Sequence, residues 1–363
     1  MCTRTKLAHK MKNLFIVYRK DRIYTGNLVR FVMFEIFQRE EYVKILRDIY
    51  DINVIIHGIS WFDSTINVAK LEEDNLVDGS IIFGSNRHGI KYINTLPTDV
   101  KNKKNIKTIG WLDDLHYFAE IPLEKQKYKL AEYSEKYTPS FLLNLDYLIS
   151  PSLLYFKNLN ITEYDHKLFD FFYSLDPAYF DRFKNISYSN RSSQIILSGA
   201  MAKGYRSRML FNNLRNIDEK FNKLIYKLDH PGYYRSDNPS GDNIDFNKIG
   251  LNYYIELSKF KGAFVGHYNF PLNFCLAKHI EVLMCGCLGF FEPNPSLESQ
   301  LGLKEYVHYI PCYKDGKLIN DPDFYIEWIK NGEEIAKNGQ KFVMENFGEK
   351  QIHKLFQFLA SIK

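Results

Sequence analysis

No charge of one sign dominates this sequence. Its 48 Lys and Arg stand against 43 Asp and Glu, a formal surplus of +5 over 363 residues, too small to demand a nucleic-acid or anionic-membrane partner. Long apolar runs are also missing. The best, Val282 to Phe291, is broken by two glycines and falls well short of the roughly 18–20 residues that cross a bilayer. The basic start Met1 to Lys12 with Leu14 to Tyr18 behind it lacks the apolar length and the small-residue cleavage site of a signal peptide, so cytoplasmic residence is expected. Cysteine is scarce and unevenly spread. Cys2, Cys275, Cys285, Cys287 and Cys312 make an odd count with four in one apolar region, which excludes a secreted disulfide framework and predicts reduced thiols. What remains is ordinary for a packed protein: 45% hydrophobic and 25% charged residues, excluding disorder, collagen and low-complexity classes. The length suggests about two domains. The 28 Phe and 26 Tyr are read as core and surface filler.

Short β-rich runs alternate with stretches of helical periodicity, the pattern of parallel sheets with crossover helices. In the first half the expected strands are Leu14 to Tyr18, Asn53 to His57, Ser80 to Gly84, Lys107 to Trp111 and Tyr147 to Ser150, with an amphipathic helix over Leu28 to Tyr50. Ser174 to Ser193 holds Pro177 and an Asn/Ser cluster without sustained period and reads as an interdomain linker. Beyond it the expected strands are Gln194 to Ser198, Lys223 to Leu228, Gly262 to Gly266, Cys287 to Phe291 and Val307 to Pro311, followed by helices over Tyr325 to Lys337 and Lys350 to Ile362. The organisation is therefore α/β: two doubly wound Rossmann-like domains, 1–173 and 194–348, a linker 174–193, and a C-terminal helix 349–363 returning to the first domain. Such sheets bind ligands outside the carboxyl ends of their strands, so the active site is expected in a cleft between the two.

The most informative stretch, Gly262 to Phe291, reads as strand, loop, helix, strand. Asn273 is expected to cap the helix, leaving its first amides as an anion site, and Gly286 to end it. Lys278 and Glu281, three apart, share a helical face. One suits a phosphate and the other the hydroxyls of a ribose, although the same spacing also suits a plain surface ion pair. His267, after a strand, either touches donor sugar or phosphate or simply caps the strand end.

The run Lys278-His-Ile-Glu281-Val-Leu-Met-Cys-Gly286-Cys-Leu resembles the nucleotide-sugar site of GT-B glycosyltransferases of the group 1-like kind, in which a Lys or Arg, a Glu and a small-residue turn follow one another. Ile195-Ile-Leu-Ser198-Gly199, with Arg206 and Arg208 leading into a helix, is similar to the family's glycine-bearing first turn. There Gly199 lets backbone approach a ligand, and either arginine neutralises a leaving diphosphate or merely starts a solvated helix. The resemblance covers most of residues 194–363. It departs in one respect: many retaining members carry two glutamates with seven residues between, and the first position here is Asn273. Inversion and retention both stay open.

In the first domain, Asp113-Asp114-Leu115-His116 follows a strand. Asp114 and His116 are candidates for a general base on an acceptor hydroxyl, or for a hydrogen-bonded loop that positions it. Cys275, His279, Cys285 and Cys287 match no usual zinc spacing, and buried thiols are expected. The resemblance thus implies transfer of a sugar from a nucleotide-diphosphate donor to a hydroxyl on a glycan or glycoconjugate. Beyond the nucleotide sugar no cofactor, metal or nucleic acid is expected. A nucleotide-sugar epimerase or hydrolase on the same fold, or a non-catalytic sugar-binding scaffold, are the alternatives.

Overall fold

The computed structural model describes residues 11–19, 30–31, 36–37, 39–59, 81–85, 106–111, 145–151, 167–199, 205–228, 250–267 and 275–363. The chain divides into two compact units. One comprises Met1–Ile23, Phe31–Phe171 and Ile352–Lys363, and the other Tyr24–Arg30 and Phe172–Gln351.

In the first unit, strands β1 (Lys12–Arg19), β2 (Ile52–Ile59), β3 (Ile81–Ser85), β4 (Lys107–Trp111), β5 (Tyr147–Ser150) and β6 (Leu168–Asp170) form one sheet in the order β2-β1-β3-β4-β5-β6. Every pairing is parallel. Leu14, Phe15 and Ile16 of β1 are buried in succession, as a parallel strand covered on both faces requires. The Asp146 carboxylate accepts from the Thr108 amide (2.8 Å) and hydroxyl (3.0 Å), fastening the start of β5 to β4. Helix α1 is Glu40–Tyr50, ending at Asp51 in the left-handed region (φ 55°). It is shorter than the expected Leu28 to Tyr50 because Arg30–Phe31 is a strand; a short apolar run looks the same in either period.

The C-terminal helix Glu349–Ser361 joins this unit from Ile352 onward. Leu355, Phe356, Leu359 and Ile362 are buried, and Phe358 stacks on Phe169 of β6 with centroids 4.0 Å apart. Lys12 Nζ donates to the carbonyls of Ala360 (3.2 Å) and Ile362 (2.5 Å), supplying a cation where the helix leaves carbonyls unmet.

The second unit repeats the architecture: β7 (Ser192–Ser198), α2 (Arg206–Leu214), α3 (Glu219–Leu224), β8 (Ile225–Leu228), α4 (Gly250–Leu257), β9 (Phe260–Val265), α5 (Ala277–Met284), β10 (Leu288–Phe291), β11 (Ile310–Pro311), α6 (Pro322–Asn331) and α7 (Glu333–Phe347). The sheet order is β8-β7-β9-β10-β11, all parallel. Side chains alternate between two cores, as the two-residue period of a strand demands. Leu197, Phe264 and Phe290 face Phe211 of α2, Phe221 of α3 and Tyr325 of α6, whereas Ile196, Ala263, Val265 and Phe291 pack with α4, α5 and α7.

Residues 174–193, expected as a linker, are folded into this unit. They form a strand Ser174–Leu175, a helix Phe180–Lys184 and two 3-10 turns, and bury Phe183 and Tyr188. Their apolar residues are spaced without a period, so pattern reading passed over them. Among the described residues no helix is long and apolar enough to cross a membrane.

Candidate active site

The chain runs from β7 outward to β8 and then back across to β9, so the carboxyl ends of β7 and β9 flank the point where strand order reverses. Open parallel sheets leave their ligand crevice at that point. Ser198 and Gly199 end β7, Gly266 and His267 follow β9, and Glu292 follows β10.

Gly199 has φ +100°, a backbone conformation natural to glycine. A Cβ there would lie 2.8 Å from Arg208 Nη1 and 3.1 Å from Lys278 Cε, so two cations converge on this bare backbone. Arg208 is 2% exposed; its guanidinium lies 4.1 Å from the Tyr205 ring centroid and donates to the Gly266 carbonyl at 3.3 Å. Arg206, two residues earlier, is exposed. The structure thus separates the two arginines, bringing Arg208 alone to Gly199. Gly266 serves close approach: a Cβ would meet Ser207 Oγ at 1.9 Å.

Lys278, on α5, reaches back to the end of β7. Its Nζ donates to Tyr253 Oη at 2.6 Å and Ser198 Oγ at 3.4 Å and lies 4.4 Å from the Tyr253 ring centroid. Ser198 Oγ and Tyr253 Oη are themselves 2.9 Å apart. Glu281 is 4% exposed and accepts from Tyr254 Oη at 3.0 Å. The alternative of a plain surface ion pair therefore gives way to two inward side chains, one on Tyr253 and Ser198 and the other on Tyr254.

His267 is buried, its Nδ1 3.2 Å from Glu292 Oε2, and its backbone N–H donates to the same oxygen. Burial lowers its pKa, Glu292 opposes that, and Arg208 adds to it. A neutral imidazole beside a carboxylate and an arginine offers a hydrogen-bonding edge rather than another charge.

The expectation that Asn273 caps α5 is corrected. The helix starts at Ala277 with Leu276 as its N-cap. A leucine has no capping oxygen, so the third helical residue does the work from inside: His279 Nδ1 accepts from the Leu276 N–H at 3.0 Å. Burial holds the His279 pKa down at about 3, keeping the ring neutral and able to accept. Asn273 itself, like Asp114 and His116, lies outside the described residues. At the other end of α5, Gly286 (φ +73°) makes the expected stop. Cys275, Cys285, Cys287 and Cys312 are buried free thiols, and burial raises the pKa of the last three. Among the described residues no group of three or more His, Cys, Asp or Glu could hold a metal ion.

Sequence reasoning missed Ser207, Tyr253, Tyr254 and Glu292. Glu292 carried a usable signal, being the first charged residue after a buried strand. The tyrosines carried none, since only the packing of α4 on α5 gives them targets. Chemically, two cations beside a bare glycine suit a polyanion such as a diphosphate, and a buried carboxylate that accepts from a phenol is of the kind that takes hydroxyl donors.

No protein-family model matches the chain, and no curated protein sequence does. Solved structures do. TarM of S. aureus aligns at 12% identity and TM-score 0.53 over 81% of this chain, which spans only 57% of that one. Anabaena HepE, solved with UDP, aligns at 10% identity and TM-score 0.55, over 97% of this chain and all of the other. Sucrose-phosphate synthase from Thermosynechococcus elongatus aligns at 12% identity and TM-score 0.56, over 96% of this chain and 98% of that one. With two parallel α/β sheets and these structural likenesses, the chain has the fold of the GT-B glycosyltransferases.

Proposed function

We propose that this protein is a glycosyltransferase that moves a sugar from a nucleotide-diphosphate donor to a hydroxyl on a glycan or glycoconjugate. The observation that carries the reading is the convergence of Arg208 and Lys278 on Gly199 at the switch point of the second sheet. When the bond between the sugar's anomeric carbon and the diphosphate breaks, the electron pair leaves on a phosphate oxygen. Two fixed cations stabilise that charge more in the transition state than in the bound donor. Glu281 receives the ribose hydroxyls, and His267 faces the donor sugar or phosphate. The new bond forms from the acceptor oxygen, whose proton passes to a base; Asp114 and His116 are the candidates in the first domain. Charge on the leaving group is met by side chains, so the reading needs no metal, and the buried thiols suit a cytoplasmic enzyme.

The test is a thermal-shift panel of nucleoside diphosphates and their sugars, led by UDP because HepE was solved with it, since preferential binding to the folded state raises apparent stability. Product analysis with an acceptor panel follows. Stabilisation by a donor, consumption of it only with an acceptor, and loss of both in Lys278→Ala and Glu281→Ala is the expected result. Free sugar released without acceptor marks a hydrolase, an altered nucleotide sugar an epimerase, and binding without turnover a scaffold.

A further inference from the structure

Two successive residues of α4 hold the two candidate ligand-binding side chains of α5. Tyr253 takes the Lys278 ammonium on its oxygen and under its ring, while Tyr254 donates to Glu281. Neighbours on a helix point about 100° apart, so one adjacent pair serves two targets on the facing helix by reaching to either side of the contact. We propose that Tyr253 and Tyr254 are positioning residues that divide a bound nucleoside diphosphate between them, Tyr253 acting through Lys278 on the diphosphate and Tyr254 through Glu281 on the nucleoside sugar. This rests on the donor site described above and gives the two tyrosines distinct roles in it.

The chemistry of the tethers fits that division. A lysine stem carries much rotamer entropy, which a tether removes before ligand arrives. The tether must not cancel the charge it holds. Burial and the nearby Glu281 push the Tyr253 pKa upward, so its hydroxyl stays a neutral phenol that brings no negative charge to Lys278. Ser198 closes the arrangement at the end of β7, beside Gly199. Glu281 has the converse need. A carboxylate this buried requires donors, and the Tyr254 phenol is a neutral one.

The test is isothermal titration of the full chain and its Tyr253→Phe and Tyr254→Phe variants with inorganic pyrophosphate, with uridine, guanosine and adenosine, and with the matching diphosphates. Phenylalanine keeps each ring and removes only the hydroxyl. Tyr253→Phe is expected to weaken pyrophosphate and diphosphate binding about fivefold to tenfold, the cost of ordering one freed, rotamer-rich side chain on binding, and to leave nucleoside binding as in the parent. Tyr254→Phe is expected to weaken nucleoside and diphosphate and spare pyrophosphate. Parent-like binding of every probe, or equal weakening of all three classes as general loosening would give, overturns the proposal. Lys278→Ala and Glu281→Ala are measured alongside. If they lose affinity while the tyrosine variants do not, the positioning role alone falls; if they too bind as the parent does, or the parent binds no probe, the donor-site reading falls with it.

Discussion

Arg191 closes the carboxyl end of α5 against Cys285: its Nη1 donates to the Cys285 carbonyl at 2.7 Å, and its Nη2 to the Ile186 carbonyl at 3.1 Å. Gln340 adds a bond to the Met284 carbonyl at 2.8 Å. The helix that carries Lys278 and Glu281 is thereby held at one end by buried side-chain donors and at the other by its own His279. Replacing Arg191 with Met takes the donor from the buried Cys285 carbonyl and from the partly buried Ile186 carbonyl. The expected cost is about 2–4 kcal/mol, read as a lower urea midpoint with unchanged slope.

Gly199→Ala strains a left-handed backbone position and directs a methyl at Arg208 and Lys278. Stability is expected to fall by roughly 1–2 kcal/mol. Donor affinity, measured by titration, is expected to fall at least about tenfold, because the two cations must part. A loss of stability with full donor affinity would separate Gly199 from the site.

Acid should destabilise the second unit through its histidines. The folded-state pKa of His279 is held at about 3 against the ordinary histidine value of 6.5, so its contribution is complete above that unfolded value and is lost as pH falls toward 3. From pH 7 to pH 5 this one group accounts for about 2 kcal/mol of lost stability. His267 and His308 are lowered as well and act in the same direction. His279→Gln, less stable at pH 7, is expected to lose less on acidification, as urea titrations of both proteins at pH 7 and pH 5 would record.

Phe356, fully buried, meets Tyr42 and Tyr50 edge-on at 6.3 and 5.8 Å between centroids. Phe356→Ala is expected to cost about 3–5 kcal/mol and to speed hydrogen exchange in α1 and β1. Normal protection there would mean that the C-terminal helix adds little to the first unit.

The sheets were the legible part of this chain. Lys107–Trp111 and Tyr147–Ser150 agree with the expected strands residue for residue, because fully buried parallel strands are short apolar runs with clear edges. The family resemblance singled out Lys278, Glu281 and Gly199, and the structure brings Lys278 to Gly199. The start of α5 was not: Asn273 offers the usual capping oxygen, whereas the helix begins at a leucine served by His279, an arrangement that exists only once the turn has formed. Arg206 and Arg208 looked equivalent in sequence, and only the phase of α2 turns one outward and the other to Gly199. Tyr253 and Tyr254 gain meaning only from the helix they face.

The measurement that tests the account most directly is a crystal structure of the full chain with the nucleoside diphosphate that stabilises it most. The account predicts the diphosphate beside Gly199, within hydrogen-bond distance of Lys278 and Arg208, with a ribose hydroxyl on Glu281. A nucleotide bound away from the ends of β7 and β9, with Lys278 still on Tyr253 and Ser198, would contradict it.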